Sequence, residues 1–151
     1  MRAVIQRVAG ASVDVVSDSS APDNENSERI SGFTGEGLLV LVGVTHDDGP
    51  EQVEYIARKI CELRILEGER SVLDAGASVM LVSQFTLYAD TRKGRRPSWN
   101  DAAPGPVAEP VFNSLVEAVR ERGVPVETGQ FGAHMRVSLT NDGPVTILLE
   151  K

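Results

Sequence analysis

The chain is poor in the residues that metal sites, disulfides and membrane spans require. It has one cysteine and two histidines in 151 residues. The lone thiol, Cys61, closes no internal disulfide, which fits a reducing cytoplasm. His46 and His134 lie far apart with no ligand spacing around them, so no metal site and no cofactor are expected. The glycines of Gly32 to Gly37 match neither a phosphate-binding loop nor a dinucleotide fingerprint. No G-x-S-x-G elbow occurs. No apolar run approaches the roughly 18 residues of a membrane span, and the opening Met1 to Val8 is too short and too charged for a secretory leader. Positive charge is scarce as well: 15 Lys and Arg against 22 Asp and Glu leave a net charge of −7. That balance excludes extended, non-specific wrapping of nucleic acid. It leaves a nucleic-acid substrate open, because local charge matters more than the total.

What is present fits one globular domain, residues 1–151, long enough to bury a core. Arg2 to Ala9 and Ser12 to Val16 read as two strands around Gly10. The tract 17–28 has no aromatic residue and reads as a mobile surface loop. Gly37 to Val44 is a continuous apolar run, the pattern of a strand buried on both faces. Asp48 is placed to cap a helix with Pro50 in its first turn and Val53, Ile56, Ala57, Ile60 and Leu63 as its apolar stripe. Cys61 beside that stripe is a structural thiol. Arg64 to Leu66 reads as a short strand. Ala108 to Arg122 is a second amphipathic helix, with Val111, Leu115 and Val119 as its stripe and Gly123 as its stop. Pro125 to Phe131, Met135 to Thr140 and Val145 to Leu149 read as strands. The expected fold is therefore α/β: a single layered domain with a mixed, barrel-like β-sheet, two main amphipathic helices and room for a second sheet.

Three stretches stand out. The first, Val79 to Tyr88, reads as one long strand. Alternation places Ser83, Phe85 and Leu87 on one face and Gln84, Thr86 and Tyr88 on the other, a plausible wall of a pocket. Thr and Tyr are also ordinary strand formers, so this wall needs convergent support. The second, Arg92-Lys93-Gly94-Arg95-Arg96, sets four cations in five residues, with Trp99 close behind. It is either a solvated loop or a phosphate-contacting loop with an aromatic neighbour. The third, Asn141-Asp142-Gly143-Pro144, reads locally as a turn between two strands. A Ser83, His134, Asp90 triad can be written on paper, but chains of this size offer many such sets.

The pair Ser83-Gln84-Phe85-Thr86-Leu87 and Asn141-Asp142-Gly143-Pro144-Val145-Thr146 resembles the two signature motifs of the D-aminoacyl-tRNA deacylases. The flanks follow in register: Met1 to Val8, Gly37 to Gly43, Arg95-Arg96-Pro97-Ser98, and Gly129 to Met135. The tract 17–28 departs from the family as an insertion in a surface loop. The resemblance implies hydrolysis of the ester joining a D-amino acid to the terminal ribose of tRNA, by a cytoplasmic homodimer with a site at each end of its interface. It implies that Ser83, Gln84, Phe85 and Thr86 line the catalytic pocket, with the Phe85 and Thr86 N–H groups as oxyanion donors. Gly143 and Pro144 would form a cis pair reaching into the partner subunit's pocket to select chirality. Asn141 and Phe131 would join that substrate-binding set, Arg7 would brace the loop and Met135 would pack nearby. Arg92, Lys93, Arg95 and Arg96 would meet the tRNA. Two mechanisms compete: a Thr86 nucleophile, for which the sequence offers no evident general base, and water activated by the tRNA's own 2′-hydroxyl, the one favoured here. Rivals of other kinds are an esterase using Ser83 or Thr86 and a non-catalytic RNA-binding adaptor.

Overall fold

A computed structural model describes residues 1–17 and 27–151. The expected loop at 18–26 lies outside the described residues, while Ser27 and Glu28 already pair with Val16 and Val15 at the start of a strand. One five-stranded sheet organises the rest, in the order β4-β3-β2-β1-β5. Its strands are β1 (Arg2–Val16), β2 (Ser27–Gly43), β3 (Ser78–Ser83), β4 (Val126–Thr128) and β5 (Met135–Glu150). Between them lie α1 (Pro50–Glu62), a four-residue α2 (Val72–Ala75) and α3 (Gly105–Glu121). β1 pairs antiparallel with β2 and β5, whereas β2–β3 and β3–β4 pair parallel. Two successive crossovers, one through α1 and α2 and one through α3, supply the parallel half.

Several expected boundaries move. Gly10 does not end a strand: β1 runs through it, with register shifts on either side. Gly10 at φ 152° and Gly35 at φ 91° supply backbone conformations that side-chain-bearing residues rarely adopt. Arg64 to Leu66 forms no strand, only an isolated bridge from Leu66 to Arg70. β4 is three residues long, against seven expected. Asp48 is not the helix cap. Gly49 caps α1, its N–H bound by Gln52 Oε1 at 3.0 Å. Asp48 instead binds the Met1 ammonium at 2.5 Å and the Thr45 N–H at 2.8 Å. A buried cation takes the carboxylate that the helix start would otherwise use.

Among the described residues there is no second sheet, and the central strands of the one sheet are buried on both faces. Leu38, Val40 and Val42 of β2 and Val79 and Leu81 of β3 pack under α1 and α3, with Ile56, Ile60, Leu115 and Val119. The alternate positions, Leu39, Met80 and Val82, meet Val8, Ala11 and Val13 from β1, with Phe33, Val137 and Leu139 against them. The long strands thus cover the face that the helices leave bare, which makes the sheet barrel-like. The stripe of α3 is shifted from the expected one: Ala108, Phe112 and Val116 are buried with Leu115 and Val119, while Val111 is half-buried. Cys61 is fully buried on α1, and burial pushes its thiol up to about 11.

Candidate active site

The strand expected over Val79 to Tyr88 stops at Ser83. Gln84 leaves the extended conformation (φ −143°, ψ 84°), and Phe85–Tyr88 forms a 3₁₀ turn. Edge pairing explains the break. β3 follows β2 only as far as Val42, and the Gln84 N–H then bonds the Val42 carbonyl at 2.7 Å. The ladder does not extend to Gly43, the last residue of β2, and the chain closes on itself with Leu87 N–H on Gln84 O at 3.2 Å. The alternation of faces ends there. Tyr88 turns inward, buried beneath Arg2, whose guanidinium sits 4.5 Å from the ring centre. Burial pushes the Tyr88 phenol up to about 12. The side-chain amide of Gln84 donates to the Thr86 hydroxyl. The N–H groups of Phe85 and Thr86 head the turn and have no carbonyl behind them within it.

The turn forms one wall of a cavity of about 550 Å³. Ser83, Gln84 and Phe85 face Phe131, His134 and Met135, and the segment Ala102 to Gly105 with Ala108 closes a third side. This space is within the range of pockets for small ligands. His134 is the sole titratable side chain in its lining. No triad assembles around it: Asp90 is taken by Arg92, at 2.9 and 2.7 Å, and bridges backbone to backbone with Ser98. The guanidinium of Arg92 holds the Asp90 carboxyl far below the usual carboxylate range. A larger, shallower depression of about 700 Å³ lies between Gly10–Ser12, Arg29–Thr34 and Ser138–Thr140. It contains none of the motif residues, and its one cation, Arg29, is paired with Asp14 at 3.0 Å. Among the described residues no cluster of His, Cys, Asp or Glu could hold a metal ion.

The second motif lies elsewhere on the chain. Asn141 to Thr146 is not a hairpin turn, because β5 pairs with β1 on both sides of it. Val8 pairs with Asn141 and Gln6 with Thr146, so two steps along β1 match five along β5 and three residues loop out. That loop is exposed, and its Gly143–Pro144 peptide bond is cis. Arg7 holds it: Nε donates to the Asp142 carbonyl at 3.1 Å and Nη2 to the Gly143 carbonyl at 3.2 Å. A third bond, from Nη1 to the Ile65 carbonyl at 3.3 Å, anchors the guanidinium to the body of the domain. Gln6 Nε2 donates to the Asn141 side chain at 3.1 Å. Met135 is not beside this loop within the chain. It starts β5, six residues before Asn141 and on the order of 20 Å away at strand spacing. It packs instead in the Ser83 cavity, where its sulfur accepts from the Gln130 N–H at 3.3 Å.

The structure therefore gathers Ser83, Gln84, Phe85, Phe131 and Met135 at one cavity, with Thr86 just behind it. It sets Arg7, Asn141, Gly143 and Pro144 together at a separate place. Arg92, Lys93, Arg95 and Arg96 are exposed on the loop after the 3₁₀ turn. Trp99, Ala102 to Gly105 and His134 also line the cavity. The sequence offers His134 only as a member of a triad on paper and does not single out the 102–105 segment. Its sole signal there was the Pro104-Gly105-Pro106 run at the start of α3.

Residues 4–150 match the family described as D-Tyr-tRNA(Tyr) deacylase. Curated proteins called D-aminoacyl-tRNA deacylase are 61% identical over 150 residues in Kineococcus radiotolerans and 62% identical in Beutenbergia cavernae, each alignment covering 99% of both chains. Among solved structures, one described as c-Myc DNA Unwinding Element Binding Protein superposes with a TM-score of 0.85 at 39% identity, over 100% of this chain and 99% of that one. A second, described as a probable eukaryotic D-amino acid tRNA deacylase, gives 0.74 at 16% identity over 98% and 97% of the two chains, a likeness of fold.

Proposed function

The chain belongs to the D-Tyr-tRNA(Tyr) deacylase family, and from that premise we propose how it works as a D-aminoacyl-tRNA deacylase. It hydrolyses the ester between a D-amino acid and the terminal ribose of tRNA, releasing both, through a deacylase domain spanning 1–151. The observation that carries the reading is the cavity built on Ser83, Gln84 and Phe85. It offers backbone donors and apolar walls but no carboxylate.

In the proposed reaction the terminal adenosine and its ester occupy this cavity. Water attacks the ester carbonyl. The N–H groups of Phe85 and Thr86 receive the developing oxyanion. The ribose 2′-hydroxyl takes a proton from the attacking water and passes one to the departing 3′-oxygen, so the carbon–oxygen bond breaks with no protein base. Thr86 supports the pocket from behind its lining: its hydroxyl oxygen accepts from the Gln84 amide, a bond that orients it without activating it.

Selection of the D form falls to the Gly143 carbonyl and Pro144. They line no part of their own chain's cavity, which supports delivery from a second copy and hence a homodimer. The carbonyls would accept from the substrate amino group and occupy the place an L side chain needs. Glycine has no side chain to exclude, so glycyl-tRNA is also a substrate. The exposed cations of Arg92 to Arg96 would meet the tRNA backbone. Among the described residues no helix is long and apolar enough to cross a membrane, and a tRNA substrate fits a cytoplasmic site of action.

The deciding experiment compares matched D- and L-aminoacyl-tRNA, with a D-aminoacyl-tRNA ending in 2′-deoxyadenosine alongside. Cleavage of the D ester, sparing of the L ester and poor turnover of the deoxy ester are expected. Equal cleavage of both hands would falsify the central reading. A folded, substrate-binding Thr86→Ala enzyme with no activity would shift the mechanism to a Thr86 nucleophile. Salt-sensitive RNA binding without hydrolysis would mark an adaptor instead.

A further inference from the structure

We propose that Phe85 and Trp99 form a stacking platform for the base of the nucleotide preceding the terminal adenosine, which makes Trp99 a strand-positioning residue; this rests on the deacylase reading above. Among the described residues, Phe85 at 54% and Trp99 at 41% exposure are the aromatic side chains among the large apolar groups left open to solvent. They are adjacent, with ring centres 5.5 Å apart and planes inclined at 75°. Both belong to the lining of the Ser83 cavity. A strand whose terminal nucleoside sits inside must pass over its lining where that lining meets solvent, and these two rings are the aromatic members of that exposed lining.

The platform is held rigidly, although Trp99 follows an exposed loop. The Trp99 carbonyl accepts the Ala102 N–H at 3.0 Å. The next two carbonyls are also tied: Asn100 to His46 Nε2 at 2.9 Å and Asp101 to Thr45 Oγ1 at 2.6 Å. On the other side, Asp90 and Ser98 exchange backbone bonds at 2.9 and 3.0 Å. A fixed, solvent-facing ring pair is pre-organised for a flat partner and loses little entropy on binding one.

Charge identifies that partner. Arg95 and Arg96 lie four and three residues before Trp99, are exposed, and make no ion pair with a described residue. An apolar ring pair close in sequence to exposed cations matches a single nucleic-acid strand, in which bases and phosphates alternate. A protein partner would have to set acidic side chains against the arginines and an apolar group between them, with no extended strand leaving the cavity. Stacking recognises the face of a base and not its hydrogen-bonding edge.

The test compares the KM for D-tyrosyl-adenosine with that for the same ester on CpCpA. In the parent protein the longer ester has the lower KM. In Trp99→Ala the ratio of the two KM values falls about tenfold, the scale of one lost base–aromatic stack. Trp99→Phe restores most of the ratio. Because Trp99 is the single tryptophan in the chain, its fluorescence gives a readout in the unmutated protein. CpCpA quenches it, and adenosine alone does so far less. A KM ratio that Trp99→Ala does not move, or equal quenching by CpCpA and adenosine, overturns the platform while leaving the deacylase reading intact. Failure of the parent protein to cleave either ester overturns both.

Discussion

Arg7 fastens the exposed loop of β5 to the rest of the domain. It spans three carbonyls on two segments and pairs with the Asp142 carboxylate at 3.1 Å. Bonds from a charged donor contribute roughly 1.5–3 kcal/mol each. Arg7→Ala therefore releases the 142–143 carbonyls and is expected to lower the ratio of D- to L-ester cleavage about tenfold, measured in parallel deacylation assays. His134 gives a second residue-level prediction. It is the sole titratable group in the cavity lining, and catalysis by the substrate's own hydroxyl needs no imidazole. His134→Ala should keep kcat within a few-fold, and a loss of a hundredfold or more would assign it a proton. At this scale the motif residues were legible because Ser83-Gln84-Phe85-Thr86 and Gly143-Pro144 are distinctive strings. Asp48 was not. An aspartate two residues before a proline fits a helix cap, and nothing local reveals that an ammonium distant in the chain folds against it. That ion pair is nearly dry, 0% and 3% exposed. Asp48→Ala should cost about 3 kcal/mol, seen as a lower urea midpoint at unchanged slope.

At the level of elements, the apolar run of β2 and the stripe of α1 could be read directly, since burial on two faces or on one leaves its own periodicity. The end of β3 could not. Whether a strand-like string continues depends on pairing with its neighbour, and the β2–β3 ladder stops at Val42 and Ser83. The two halves of β5 were read as strands around a turn for a related reason: local residue preferences describe a reversal equally well as a bulge, and only pairing with β1 on both sides decides. Gly37 illustrates a contact invisible to pattern. A Cβ there would lie 2.4 Å from the Ser78 carbonyl and 2.5 Å from the Phe33 ring. Gly37→Ala should destabilise by about 2 kcal/mol, because the backbone of β3 and the Phe33 ring must both give way. Thermal or urea unfolding checks it.

For the whole molecule, alkaline pH is the expected weakness. Cys61 is pushed by burial from an ordinary 9.0 to about 11, and Tyr88 by burial and the nearby Asp48 carboxylate from 10.0 to about 12. Between these limits the native state retains protons that the unfolded chain has lost, so stability falls as pH rises. It is fully present below about pH 9 and is lost progressively up to about pH 12. Unfolding midpoints at pH 8 and pH 10.5 should show the drop, and Cys61→Ala should lessen it. The overall charge of −7 sets the long-range field against an RNA ligand. Binding should therefore depend on a small cluster of cations, and its salt dependence should weaken measurably in Arg95→Ala/Arg96→Ala.

The concealment of Cys61 has a practical side. No other thiol exists in the chain, and this one, on α1, has no exposed surface. At neutral pH a thiol reagent should find the native protein blank and label it only when α1 lifts from the sheet. The labelling rate is thus a clock for spontaneous opening of the core. A cysteine introduced at the surface, for example at the exposed Ser114, would carry a fluorophore without background.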